Sequence, residues 1–179
     1  DLTAAGSNLT IDLGSDDNQL TISEGAEIEA QGLLTIQGDG GTDTVIVAGA
    51  AVSSNGNLLL QTADGDDIVQ VTGSGRIAAD QGSVSIDLGA DNNQLELLEN
   101  GEIIANTTAM VNGGNVDLLT LDGIVRAVGN LTVALGDGND TITISEHADI
   151  DSTEGDIAFT LGAGVNALLL QAAASVTAK

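Results

Sequence analysis

The sequence predicts an all-β fold, a right-handed parallel β-solenoid of about seven coils with three short strands per coil. The first observation is a repeat of 23 to 26 residues, and the second is period-2 alternation of apolar residues in three short segments of each repeat. No window shows the i, i+3, i+4, i+7 recurrence of an amphipathic helix. The repeat ends are marked by small residues, at Gly6, Gly32, Gly56, Gly82, Asn106, Gly129 and Gly155.

These marks give seven successive coils in one array, without an internal domain boundary. Residues 1–179 form a single solenoid in this interpretation, and residues 2–6 match the end of a coil rather than its beginning. Because neither end of the sequence resembles a polar cap, we expect a longer array or a unit that stacks end to end. The coils are 7–32, 33–56, 57–82, 83–106, 107–129, 130–155 and 156–179.

Three rows of aliphatic residues are expected to stack along the axis, one row per strand, with equivalent residues about 4.8 Å apart. The first strand contributes Leu9 and Ile11, Leu34 and Ile36, Val84 and Ile86, and Leu131 and Val133. The second strand contributes Leu20 and Ile22, Val45 and Val47, Val69 and Val71, Leu95 and Leu97, Leu119 and Leu121, Ile142 and Ile144, and Leu168 and Leu170. The third strand pairs a large residue with a small one: Ile28 and Ala30, Val52 and Ser54, Ile77 and Ala79, Ile103 and Ala105, Val125 and Ala127, Ile150 and Ser152, and Val176 and Ala178.

Composition and charge narrow the function classes. Hydrophobic residues make up 42% of the chain, but Phe159 is the single aromatic residue, so the core must be aliphatic. The formal charge of −24 argues against nucleic acid and anionic membrane partners, which need clustered Lys or Arg, and it favours cations. We expect no membrane insertion, because no run of eighteen apolar residues occurs. The absence of cysteine fixes no compartment.

An acidic, glycine-rich turn follows the first strand of every coil. It ends in Asn or Asp each time, which predicts a stacked row of Asx side chains along one edge of the solenoid. Such a row can be purely structural, because Asx side chains satisfy turn backbone and tolerate left-handed conformations. The row is Asn18, Asp43, Asp67, Asn93, Asp117, Asp140 and Asn166.

The sixth turn, GDGNDTIT from Gly136, resembles the nonapeptide of the hemolysin-type, repeats-in-toxin calcium-binding family, and the segments at Asp64 and Gly40 resemble it in part. The resemblance implies Ca²⁺ between stacked turns, and hard cations take six to eight oxygen ligands. It departs at Leu135, where the family has glycine, and in occurring once per coil. Solvated acids in Asx turns are the alternative. The ligands implied by the resemblance are Asp43, Asp67 and Asp140, and the neighbouring acids Asp39, Asp64, Asp66 and Asp137 are expected to support them.

Other interpretations rest on fewer residues. An alternative is a polysaccharide-active β-helix enzyme, whose candidate catalytic residues besides carboxylates would be Arg76, Arg126 and His147. No group of acidic side chains is predicted to lie beside them, so we expect no enzyme. Outward threonines suggest an ice-binding face, but their rows are interrupted. Three sequons, at Asn8, Asn106 and Asn130, could accept glycans, although shared repeat ancestry explains two of them equally well.

The repeats as a whole resemble those of large secreted surface proteins, adhesins of the filamentous-haemagglutinin kind and calcium-binding repeat arrays. This resemblance implies a structural or adhesive rod outside the cell or on its surface. The expected partners are further repeats of the same chain, a second copy stacked end to end, or cell-surface glycans and proteins.

Overall fold

The computed structural model describes residues 1–115 and 117–179, so Val116, within the predicted fifth turn, lies outside the described residues. The described chain is entirely β and loop, and it contains no helix long and apolar enough to cross a membrane. The strands are β1 (Leu2–Ala4), β2 (Leu9–Asp12), β3 (Gln19–Ile22), β4 (Glu27–Ala30), β5 (Leu34–Gln37), β6 (Thr44–Val47), β7 (Ala50–Ser53), β8 (Leu58–Gln61), β9 (Ile68–Val71), β10 (Arg76–Ala79), β11 (Val84–Asp87), β12 (Gln94–Leu97), β13 (Glu102–Ala105), β14 (Ala109–Asn112), β15 (Leu118–Leu121), β16 (Ile124–Ala127), β17 (Leu131–Ala134), β18 (Thr141–Ile144), β19 (Asp149–Ser152), β20 (Ile157–Thr160), β21 (Ala167–Leu170) and β22 (Ser175–Ala178).

Each strand pairs in parallel with the strand three positions along the chain, which confirms a β-solenoid with three strands per coil. The first sheet runs β2-β5-β8-β11-β14-β17-β20 and the second runs from β3 through β6, β9, β12, β15 and β18 to β21. The third sheet runs β1-β4-β7-β10-β13-β16-β19-β22. Successive coils therefore add one strand to each sheet.

The aliphatic rows pack inside this triangle of sheets. The second-strand row is confirmed in every coil; Val45 pairs with Val69, for example, and Leu95 with Leu119. Ile36, Leu60 and Ile86, adjacent in the first sheet, are fully buried. At about 25 cal/mol per Å² of apolar surface, this row-on-row burial is the main stabilising term.

One register prediction was wrong. In the second coil the inward pair of the third strand is Ala51 and Ser53, not Val52 and Ser54: Ala51 pairs with Ile28, and Ser53 with Ala30. The cause is a shorter preceding turn, residues 48–49, where most coils have four residues. Val52 therefore lies in the outward row, between Glu29 and Ala78.

The last coil shows what the stacking contributes. Its inward residues Leu168 and Leu170 are 51% and 62% exposed, whereas Ile142 and Ile144, paired with them one coil earlier, are at most 2% exposed. The apolar row of the last coil is therefore exposed because no further coil covers it.

Candidate functional site: the Asx ladder of the acidic turns

The Asx side chains at the ends of the acidic turns form a continuous hydrogen-bonded column, here called the Asx ladder. In each step the backbone N–H of one member donates to Oδ1 of its equivalent in the next coil. The six donations run from Asn18 to Asp43 (3.1 Å), Asp43 to Asp67 (2.7 Å), Asp67 to Asn93 (3.0 Å), Asn93 to Asp117 (3.2 Å), Asp117 to Asp140 (3.0 Å) and Asp140 to Asn166 (2.8 Å). All bonds point the same way along the axis, so the ladder has a direction.

The ladder members between the two end coils are buried. Asp43, Asp67, Asn93, Asp117 and Asp140 are at most 2% exposed. A buried backbone N–H needs a partner, and each Oδ1 supplies one where the chain leaves its turn and the regular sheet ladder is interrupted. The ladder therefore extends the hydrogen bonding of the sheets through the turns.

Asn and Asp differ in what their second atom does. The Nδ2 of Asn93 donates to the Ala90 carbonyl at 3.0 Å, and that of Asn166 to the Leu161 carbonyl at 2.8 Å. In the aspartates the corresponding oxygen, Oδ2, is buried without a hydrogen-bond partner, at Asp43, Asp67, Asp117 and Asp140. The site thus accommodates an amide better than an ionised carboxylate.

Glycines make room for two of these oxygens. A Cβ added to Gly38 would lie 1.8 Å from Oδ2 of Asp43, and one added to Gly113 would lie 1.9 Å from Oδ2 of Asp117. Neither glycine has a positive φ, so the requirement at these positions is space and not backbone conformation. The carboxyl group occupies the volume of the missing side chain.

Burial also affects ionisation. Desolvation raises the pKa of Asp67 above its ordinary value; the backbone N–H of Asp43 and the Thr62 side chain oppose that shift, and the nearby carboxylates of Asp43 and Asp66 add to it. Desolvation likewise raises the pKa of Asp117, opposed by the N–H of Asn93 and reinforced by Asp140. Both carboxyl groups bind a proton more readily in the folded chain than in water.

The seven predicted calcium ligands fall into two groups. Asp43, Asp67 and Asp140 are the buried ladder members described above. Asp39, Asp64, Asp66 and Asp137 lie on the exposed side of the turns. Two of these acids already accept backbone bonds from the following coil: Asp66 Oδ1 from the N–H of Asn92 at 3.0 Å, and Asp137 Oδ1 from that of Ala163 at 3.1 Å.

The hydrogen bonds that these acids make are those of Asx turns. In the described chain no three His, Asp or Glu side chains gather in a group that could hold a metal ion. Calcium needs six to eight oxygens, while each ladder carboxylate has one oxygen committed to a backbone N–H and one enclosed. Calcium binding, by the ladder carboxylates or by the exposed acids, stays a prediction.

A second set of asparagines, two of which the sequence suggested only as sequons, has a structural role. Oδ1 of Asn8, Asn57 and Asn130 accepts the N–H of Leu33, Ser83 and Asp156 in the next coil, at 2.9 to 3.0 Å. These bonds run opposite in direction to the Asx ladder. Two of the three sequon asparagines thus join coils. Gly32, one position before the residue that matches Asn8, leaves space for the Asn8 side chain, because an added Cβ would lie 2.2 Å from its Oδ1.

The remaining candidates are spread over the surface. Arg76 pairs with Asp80 at 2.9 Å and Arg126 with Asp149 at 2.5 Å, while His147 Nδ1 lies 3.2 Å from Asp122 Oδ1. The outward threonine rows align as predicted and are interrupted as predicted: Thr35 is followed by Leu59, and Gln70 and Glu96 precede Thr120.

Comparison with protein-family models, curated proteins and solved structures gave no match to this chain.

Proposed function

We propose that this chain is a stiff structural segment of a secreted or cell-surface repeat protein, whose role is to provide length and to display its faces. The observation that carries the proposal is the unbroken hydrogen bonding along the axis, in three parallel sheets and in the Asx ladder between them. Seven coils correspond to a segment about 34 Å long. An array of this kind extends simply by adding coils.

The surface supports display rather than chemistry. Its mixed polar and acidic side chains lie in straight rows, and the charge of −24 keeps such a surface soluble. Adhesion to glycans or proteins, and calcium binding that stiffens the exposed acidic turns, are the finer parts of the proposal. End-to-end association belongs to it as well, since a further coil would bury Leu168 and Leu170.

Single-molecule pulling between residues 1 and 179 tests the rod. We expect the chain to resist low force and then to extend in steps of one or a few coils, because each coil contacts only its neighbours. The variant Asn93→Ala, which removes one rung of the ladder, should lower the force of the first steps, whereas its exposed neighbour Asn92→Ala should leave that force closer to the parent value. Gradual extension at low force in the parent chain would overturn the proposal.

A further inference from the structure

All three basic residues of the chain lie on or beside one of the three sheets. Arg76 is in β10, Arg126 is in β16, and Lys179 directly follows β22, all in the third sheet. The strands of the other two sheets carry no Lys or Arg, although the chain has 27 Asp and Glu residues in all. A second copy of a chain with charge −24 can therefore find counter-charge on this sheet alone.

The outward residues of six neighbouring strands of the third sheet form a strip, here called the third-sheet face. It has two rows, set by the register of β7, β10, β13, β16, β19 and β22. The first row reads Ala50, Arg76, Glu102, Ile124, Asp149 and Ser175, and the second reads Val52, Ala78, Ile104, Arg126, Asp151 and Thr177. Val52 and Ala78 are only 5% and 0% exposed although alternation turns them away from the core, so they offer little surface to a partner.

We propose that the third-sheet face is a lateral docking surface for a second copy of this chain, packed antiparallel about a two-fold axis between β13 and β16. The two-fold axis is parallel to the strands. Each row of one copy therefore faces the same row of the partner, and β10 of one copy faces the partner's β19. Arg76 then lies opposite Asp149, Glu102 opposite Ile124, and Ile104 opposite Arg126. No like charges are opposed in this register.

Neighbouring arrangements are worse. An antiparallel axis through β13 places Glu102 opposite Glu102, and one between β10 and β13 places Glu27 opposite Asp149 and Glu29 opposite Asp151. If the two rods are instead parallel, related by a two-fold axis along the rod, Asp149 lies opposite the partner's Asp151. Like charges directly opposed are destabilising in a contact with little water. An antiparallel axis between β16 and β19 also opposes no like charges and sets Arg126 opposite the partner's Asp151, but it overlaps only the four strands from β13 to β22. Charge and overlap together thus favour the axis between β13 and β16, which overlaps six strands.

The existing ion pairs do not prevent the contact. The side chains of Arg76 and Arg126 remain 33% and 48% exposed, and that of Asp149 remains 41% exposed, so each has solvent-facing atoms to share with a partner. The strip covers about 380 Å² per copy, from six strands at about 4.8 Å and four residues of about 3.3 Å, against roughly 800 Å² in a standard interface. The pairing is therefore weak for one segment and grows with the number of coils.

Disulfide trapping tests the register, because the chain has no cysteine of its own. In the proposed pair Ala50 lies opposite the partner's Ser175, so Ala50→Cys and Ser175→Cys proteins are mixed at high concentration and oxidised. The matched control is Thr44→Cys mixed with Ala167→Cys, at the first strand positions of the same two coils in the second sheet. We expect the Ala50→Cys/Ser175→Cys heterodimer to exceed both its own homodimers and the control heterodimer several-fold.

The added charge reversal Arg76→Glu should bring that excess down to the control level, since it sets a carboxylate in place of the guanidinium opposite the partner's Asp149. Cross-linking in random proportions, equal to the control pair, would overturn the lateral contact. Disulfide trapping tests the contact between third-sheet faces, whereas single-molecule pulling tests the bonding along the rod. The lateral contact and the proposed rod function can therefore fail independently.

Discussion

The backbone N–H of Asp43 donates to Oδ1 of Asp67 in the next coil at 2.7 Å, while Oδ2 of the same Asp67 carboxyl group is buried without a partner. Oδ1 thus satisfies a backbone N–H of the turn, whereas Oδ2 is desolvated without a compensating hydrogen bond. This division predicts how ladder residues respond to substitution and to pH.

Replacing Asp67 by Asn should stabilise the chain at neutral pH. The amide keeps the Oδ1 acceptor and gives the second position a donor, as Asn93 does toward the Ala90 carbonyl. A gain of about 1–3 kcal/mol in the free energy of unfolding is expected from removing one unsatisfied buried group. Urea unfolding at pH 7 measures it. The exposed control Asp64→Asn, which changes the net charge equally, should gain much less; equal gains would assign the effect to overall charge.

The same pair of variants predicts a pH dependence. The pKa of Asp67 is raised by burial, so the folded chain binds this proton more tightly than the unfolded chain. The group's contribution is most favourable below the unfolded carboxyl pKa of about 4 and is lost as pH rises through the folded pKa. The stability advantage of Asp67→Asn should therefore grow as pH rises across that window. An advantage that is constant or shrinks with rising pH would contradict the raised pKa.

Removing a whole rung should be costly. Asn93→Ala leaves the buried N–H of Asp67 without its acceptor and the Ala90 carbonyl without its donor. We expect a loss of about 1–3 kcal/mol in unfolding free energy for the orphaned backbone group. Thermal or urea melts of Asn93→Ala and Asn92→Ala provide the comparison, because Asn92 lies on the exposed side of the same turn. A loss of the same size in both would show that turn composition, and not the ladder, matters.

The space over Gly38 gives a steric prediction. A Cβ there would lie 1.8 Å from Oδ2 of Asp43, whereas a Cβ at Gly40 meets nothing closer than 3.5 Å. Gly38→Ala should therefore destabilise the chain by about 1–3 kcal/mol through overpacking, and Gly40→Ala should be close to neutral. Chemical denaturation of the two alanine variants distinguishes them. Similar stabilities would mean that the carboxyl group can move away at no cost.

Calcium can be tested on the whole chain. Melting followed by the β signal of circular dichroism, in calcium, magnesium and chelator, separates the two interpretations of the acidic turns. The ladder is already closed by backbone bonds, so we expect stabilisation by calcium to require the exposed acids and to disappear in Asp64→Asn/Asp66→Asn. A calcium effect that survives that double variant but is lost in Asp67→Asn would place the ion at the buried ladder instead.

The sequence predicted the coil period and the inward rows because alternation and repetition are both local patterns. It failed at Val52, since residues 48–53, AGAAVS, are small or apolar on both faces and alternation gives no register there. The two-residue turn before β7 sets which residues of the strand face inward.

The ladder was predicted as a row, but its chemistry was not. Spacing alone placed Asp67 in line with Asn93, but only the structure shows that one oxygen bonds the neighbouring coil and the other is enclosed. Asn8 and Asn130 matched the sequon motif, which gave no indication that their side chains accept hydrogen bonds from the next coil. Bonds between residues 23 to 26 positions apart are visible only once the coils are stacked.

Hydrogen exchange of the turn amides tests the central claim most directly. The N–H groups of Asp43, Asp67, Asp117 and Asp140 lie outside the strands, yet each donates to a side-chain oxygen of the next coil. The account predicts that they exchange as slowly as amides within the sheets, and that the amide of Asn166, in the last coil, exchanges much faster. Fast exchange at all five positions would contradict a continuous ladder.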